Sequence, residues 1–204
     1  MSGEARGPIG IFDSGIGGLT VLGAIRRLLP REDLHYIGDT ARVPYGGKSA
    51  ETVLRYSREI SGRLLEAGAK AVVAACNTAS ALAIHELARE LPVPIVGVVE
   101  PGAAAAAAAT RNGVVGVIGT RATIASGAYE AAIRRIAPQA RVVSAACPLF
   151  VPLIEEGWFD ERVTREVARR YIGPLLERGV DTLVLGCTHY PLLKPCLQRV
   201  AGGD

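Results

Sequence analysis

The sequence predicts an α/β protein made of two similar parallel-sheet domains related by internal duplication, with an active site in the cleft between them. Three observations predict it. Short apolar runs alternate with amphipathic helical stretches along the whole chain, the pattern of parallel strands covered on both faces by crossover helices. Residues 64–78, LLEAGAKAVVAACNT, and 175–189, LLERGVDTLVLGCTH, repeat one order of parts: helix end, glycine stop, apolar strand, cysteine. At a single offset Leu64, Leu65, Glu66, Gly68, Val73 and Cys76 match Leu175, Leu176, Glu177, Gly179, Val184 and Cys187. Each copy also sets its thiol at the carboxyl end of a strand, where parallel sheets bind their ligands.

Taken in order, PIGIFD (8–13) is an apolar run that ends at a glycine-rich turn, and an amphipathic helix is expected over 20–29. LHYIG (34–38) is the second strand, and the loop DTARVPYGGKS leads into a helix over 50–66. AVVAA (71–75) is the third strand, followed by a helix over 78–91, and PIVGVV (94–99) is the fourth, with Pro92 and Pro94 marking the break before it. A helix starting at Pro101 contains the seven alanines Ala103–Ala109 and reads as well buried against a sheet, closed by Arg111, Asn112 and Gly113. The second half continues with GVVGVIGT (113–120), a helix over 124–136, the strand RVVSAA (141–146), a short helix near 151–156, a long amphipathic helix over 161–178 and the strand DTLVLG (181–186). The domains are expected at 1–99 and 100–204.

At 204 residues, with 49% hydrophobic and 21% charged residues, the chain has the composition of a water-soluble enzyme. No apolar run reaches membrane-spanning length, and the opening MSGEARGP has no apolar core of the kind a signal peptide needs, so a cytoplasmic protein without membrane contact is expected. The net charge of +3 comes from scattered arginines, so direct nucleic-acid binding is not expected. Four cysteines without close spacing form neither a disulfide framework nor a CxxC metal site, and no metal is expected. Cys147 and Cys196 sit outside the repeated motif and read as small buried hydrophobes.

Two thiols facing one carbon from opposite sides can remove a proton from one face and return one to the other, which inverts a stereocentre. The motifs around these thiols carry a specific resemblance. GIFDSGIGGLTV (10–21), VPYGGKS (43–49), AACNTAS (74–80), VIGTRAT (117–123), PLIEEG (152–157) and LGCTHYPLL (185–193) together resemble glutamate racemase, in the family's order and over nearly the whole chain. The resemblance implies a cofactor-independent amino-acid racemase of two α/β domains, working as a homodimer, that supplies D-glutamate for bacterial peptidoglycan. It implies that Cys76 takes the Cα proton of D-glutamate and Cys187 that of L-glutamate.

That proton is weakly acidic, so its base must be strong and desolvated, and a tuned thiolate fits. Each thiol needs a neighbour to manage its proton. Asp13 is placed to serve Cys76, and Glu155 and His189 are candidates beside Cys187; the family's Asp, Glu and His match these three. Competing structural roles are a helix N-cap for Asp13, a solvated pair with Glu156 for Glu155, and a satisfied core histidine for His189. His35 and His85 match no motif. For the substrate's charged groups, Ser14 and the amides of 15–18 suit a carboxylate. By resemblance, Asn77, Thr78, Thr188 and His189 bind the amino acid's polar groups, and Tyr45 and Gly46 supply a second contact. Thr120 follows a strand and reaches a cleft, or else caps the next helix.

Other chemistries fit less well. The glycine turn has Thr20 where a dinucleotide fingerprint needs glycine. A pyridoxal-phosphate racemase needs a Schiff-base lysine, and Lys48, Lys70 and Lys194 lack a phosphate site beside them. An aspartate racemase is the nearest enzymatic alternative, but His189 stands where that group tends to carry an acidic residue. A non-catalytic gyrase-binding role is the alternative from another class. The resemblance further implies a strand and a terminal helix beyond AGGD, which reads as a strand approach. Without that segment an apolar edge of the first domain is expected to lie open and to lower stability.

Overall fold

A computed structural model describes residues 7–202, so the reading of the opening residues lies largely outside the described residues, as do Gly203 and Asp204. The chain divides into two compact units, Met1–Val98 and Val99–Asp204.

In the first unit the elements run β1 (Ile9–Asp13), α1 (Leu19–Leu28), β2 (Leu34–Gly38), a 3-10 turn (Tyr45–Gly47), α2 (Ala50–Glu66), β3 (Ala71–Ala74), α3 (Asn77–Leu82), α4 (Ile84–Glu90) and β4 (Ile95–Gly97). The strands form one parallel sheet in the order β2-β1-β3-β4. Pairing of β1 with β3 runs from Ile9↔Ala71 to Phe12↔Ala74, so Asp13 and the residues after Ala74 leave the sheet at the same end. Phe12, Val53, Ile60, Leu64, Val72 and Leu87 form the core, each side chain contributing about 1.5–3 kcal/mol by leaving water. Ser49 starts α2 by accepting a hydrogen bond from the Thr52 amide at 3.2 Å, and Gly68, at φ 80°, turns the chain from α2 into β3.

The second unit runs α5 (Val99–Ala109), β5 (Val114–Gly119), α6 (Arg121–Ala125), α7 (Ala128–Ile136), β6 (Arg141–Ala146), α8 (Phe150–Glu155), α9 (Arg162–Leu176), β7 (Thr182–Gly186), a 3-10 turn (Tyr190–Leu193) and α10 (Lys194–Val200). Its parallel sheet has the order β6-β5-β7, which matches β2-β1-β3. The repeated sequence is thus a repeated structure. α2 and α9 lead into β3 and β7, Gly179 has φ 82° where Gly68 has 80°, and each cysteine follows its strand.

Several elements differ from the sequence expectation. The helix expected over 78–91 is two helices that meet at Ala83, with no Pro or Gly to announce the break. The one expected over 124–136 is also two, split at Gly127, whose φ of 65° no β-carbon-bearing residue adopts cheaply. The alanine helix starts at Val99 and is not well buried: Ala103 and Ala106 are covered, but Ala104, Ala105, Ala108 and Ala109 are exposed. Asp181 holds the turn after it, accepting from the amides of Arg111 (2.8 Å) and Asn112 (2.9 Å) and from the Thr110 hydroxyl (2.7 Å). Ala201 and Gly202 close α10 as a turn, where a strand approach was expected. No helix among the described residues is long and apolar enough to cross a membrane.

Candidate active site

In the first unit the glycine-rich turn bends around Asp13. The Asp13 side chain is fully buried and its Oδ2 accepts from the Gly15 amide at 3.1 Å. This is an Asx turn, not the helix N-cap considered from sequence; α1 begins at Leu19, and Gly18 stands at its cap without a side-chain bond. A β-carbon at Gly18 would lie 2.5 Å from the Asp13 Cβ and 2.9 Å from the Tyr36 hydroxyl, so only glycine lets the turn close here. Tyr36 donates to the Gly15 carbonyl at 2.7 Å and fixes the same turn from β2.

Cys76 is 5% exposed and caps α3. Its sulfur donates to the Ser14 hydroxyl at 3.6 Å. Burial first, and then the Asp13 carboxylate, push the thiol up to about 11; the Ala79 amide, the Ser14 hydroxyl and the Thr78 amide act in the opposite direction. Asn77 and Thr78 follow it, both buried.

Tyr45 is also fully buried, and its phenol donates to Asp39 Oδ2 at 2.5 Å. Arg42 Nε donates to the same carboxylate oxygen at 2.7 Å and reaches Glu59 with another nitrogen. The phenol is therefore committed to the protein. Sequence reading did not find Asp39 or Tyr36, because nothing local distinguishes them from ordinary loop and strand residues.

The second unit manages its thiol differently. Cys187 is 7% exposed and lies 3.9 Å from His189 Nδ1. His189 is 5% exposed, and its Nε2 is 3.5 Å from Glu155 Oε1 at the end of α8, an ion-pair distance without hydrogen-bond geometry. His189 is thus not the satisfied core histidine considered from sequence. Glu155 is half-exposed and faces this imidazole, whereas Glu156 is solvent-exposed.

Tyr190 holds the following turn in place: its hydroxyl donates to the Cys147 carbonyl at 2.8 Å and its ring meets Phe150 edge-on at 5.2 Å. Thr188 is buried beside it. Thr120 caps α6, accepting from the Thr123 amide at 3.1 Å, so the structural role read from sequence is present. Tyr129 is a further neighbour that sequence reading missed. It lies against Gly186, and the nearby Cys187 adds to the burial that raises its phenol. Cys147 and Cys196 lie in the core as expected, and burial pushes the Cys147 thiol up to about 12. His35 and His85 are exposed.

The chain matches the Asp/Glu/hydantoin racemase family over residues 15–203. A glutamate racemase of Geobacter metallireducens is 61% identical over 196 residues, which cover 96% of this chain and 73% of that protein. The chain belongs to the glutamate racemases of this family.

Crystal structures agree. A glutamate racemase isoform of Bacillus anthracis superposes with a TM-score of 0.94 at 41% identity, covering 98% of this chain and 75% of the other. The Francisella tularensis glutamate racemase, solved in complex with D-glutamate, superposes with a TM-score of 0.91 at 37% identity, covering 98% of this chain and 76% of the other. The chain spans about three quarters of the length of these relatives.

Proposed function

We propose that this racemase interconverts L- and D-glutamate without a cofactor, by proton transfer between Cα and the two thiols Cys76 and Cys187. The single observation that carries the reading is the pair of equivalent buried thiols, each at a strand end and each supplied with its own acid–base neighbour.

From L-glutamate, the Cys187 thiolate takes the Cα proton and becomes a thiol. The electron pair stays on the carbanion, delocalised into the adjacent carboxylate. The Cys76 thiol then delivers its proton to the opposite face and is left as thiolate. From D-glutamate the same two sulfurs exchange roles. The balance is one proton out and one proton in.

A raised thiol is a strong base once ionised, which suits a weakly acidic carbon. Its drawback is population: burial and the Asp13 carboxylate hold Cys76 as the neutral thiol at pH 7. The substrate's ammonium offsets this, since a cation beside the thiol favours its ionised form. Asp13 holds the substrate's ammonium and the Cys76 proton in one network. His189, backed by Glu155, does the same for Cys187. Ser14, the backbone of Tyr45 and Gly46, Asn77, Thr78, Thr120 and Thr188 bind the substrate's carboxylates and ammonium.

Glutamate is favoured over aspartate because the relatives at 50–61% identity are glutamate racemases. We place the enzyme in the bacterial cytoplasm as a homodimer that supplies D-glutamate for peptidoglycan.

The deciding experiment is Cα proton exchange of each enantiomer in deuterated water, followed by NMR, for the natural chain and for Cys76→Ser and Cys187→Ser. Exchange by the natural chain, with racemisation lost in both variants, is expected. Racemisation persisting in either serine variant would sink the two-thiol mechanism.

A further inference from the structure

The second unit carries a cluster of guanidinium groups that the racemase reading does not use. A groove of about 490 Å³ between α9 and α10 is lined by Arg162, Arg165, Arg169, Arg199 and Val200. The spacing explains the cluster. Positions 162, 165 and 169 are three and four residues apart, so they lie on one face of α9, and Arg199 comes from the last turn of α10.

The local counter-charge falls short of the cluster. Asp160 is shared by Arg199 and Arg165, the second at 3.6 Å, and Glu166 meets Arg169 at 3.3 Å from an exposed position. Arg162 has no ion-pair partner among the described residues and stands exposed at the start of α9. Asp160 therefore orients two of the arginines and does not neutralise the group. A chain with a net charge of only +3 concentrates four cations in one concavity.

We infer that this groove is a binding site for a small soluble molecule bearing a phosphate or diphosphate group. Guanidinium forks present paired N–H donors that match phosphate oxygens two at a time, and a groove offering four of them suits a ligand with several charged oxygens on adjacent centres. A dicarboxylate such as glutamate has fewer such oxygens and spreads them further apart. A concave wall of one charge sign also raises the local concentration of anions.

The test is isothermal titration calorimetry at low ionic strength with pyrophosphate, inorganic phosphate and glutamate as separate probes. The proteins are the natural chain, Arg162→Gln, Arg162→Gln/Arg199→Gln, and the control Arg58→Gln/Arg89→Gln, which removes the same charge from the first unit. Saturable one-to-one binding of pyrophosphate is expected, tighter than that of glutamate. It should weaken about tenfold or more for each groove arginine removed, the loss expected of a charge-assisted hydrogen bond, and stay unchanged in the control.

Arg162 has no ion pair to lose, so its variant keeps the test open if the double variant does not fold. No saturable pyrophosphate binding, equal weakening in the control, or tighter binding of glutamate would each overturn the inference. None of these readouts depends on racemase activity.

Discussion

The two halves of this chain reach the same local geometry and then treat it differently. Both run a helix into a glycine stop, a buried strand and a buried cysteine, and in both the middle strand of the repeat is the neighbour of the cysteine strand. At the end of that middle strand the first unit has Asp13. Register places Gly119 at the equivalent position of the second, followed by Thr120 where Ser14 follows Asp13. The first thiol therefore has a buried carboxylate from the sheet itself. The second has an imidazole two residues along its own chain, backed by a half-exposed carboxylate from a separate helix. The repeat keeps the scaffold that positions sulfur, and the titratable groups beside each sulfur differ.

The largest break in the comparison should come from Asp13→Asn. At equilibrium the enantiomers of glutamate are equally populated, so kcat/KM must fall equally in both directions, by about 10²–10⁴-fold if Asp13 is a working acid–base group. The same variant removes a charge that raises Cys76. The pH dependence of Cys76 alkylation should then move from about 11 toward the ordinary thiol range, while burial still holds it high. An unshifted profile would exclude Asp13 as an influence on the thiol. In the natural chain the raised thiol also couples to stability. Below the unfolded thiol value its contribution is fully present, and it is lost as pH rises toward about 11. Cys76→Ala should flatten urea-melt stability over that alkaline window.

On the other side, Glu155→Gln should cost about tenfold in kcat/KM, less than Asp13→Asn, because Glu155 is half-exposed and meets His189, not the sulfur. A loss as large as that of Asp13→Asn would show the two relays to be equal in weight.

Tyr45→Phe tests the loop proposed to supply the second substrate contact. It leaves Asp39 with Arg42 but without its phenol donor, at a cost of about 1–2 kcal/mol and a fall of several degrees in melting temperature. Glutamate KM should rise with little change in kcat.

The smallest effect should come from Gly62→Ala and Gly173→Ala. These glycines occupy equivalent places in α2 and α9, and an added methyl at either meets nothing within 4 Å. Gly62→Ala should stabilise the first unit by about 0.5–1 kcal/mol, and Gly173→Ala should gain less, because Gly173 precedes Pro174 inside α9 and a β-carbon there crowds the proline ring. Thermal melts that fail to separate the two variants would exclude a cost from Pro174.

Much of this was legible in the chain. Apolar runs marked all seven strands among the described residues; the inner strands β1, β3 and β5 are almost continuously apolar, as burial on both faces requires, whereas the edge strands β2 and β6 expose His35, Arg141 and Ser144. The alanine helix was legible as a helix but not in its burial, since alanine is at home on either face and carries no periodic signal. The break at Ala83 and the helix α10 had no local marker. Among the candidate residues, the motifs named Asp13, Cys76, Cys187, Glu155 and His189, while Asp39, Tyr36 and Tyr129 were silent.

What the sequence determined by itself was the repeat, the strand ends and the residue types at them, because these follow from local periodicity and from short motifs. What only the tertiary structure decided was partnership. Tyr45 is bound to Asp39 and Tyr36 to Gly15, Asp13 caps a turn and not a helix, and four arginines from two helices share one groove. Such contacts join residues distant along the chain, and their energy depends on burial and direction, which local pattern does not encode.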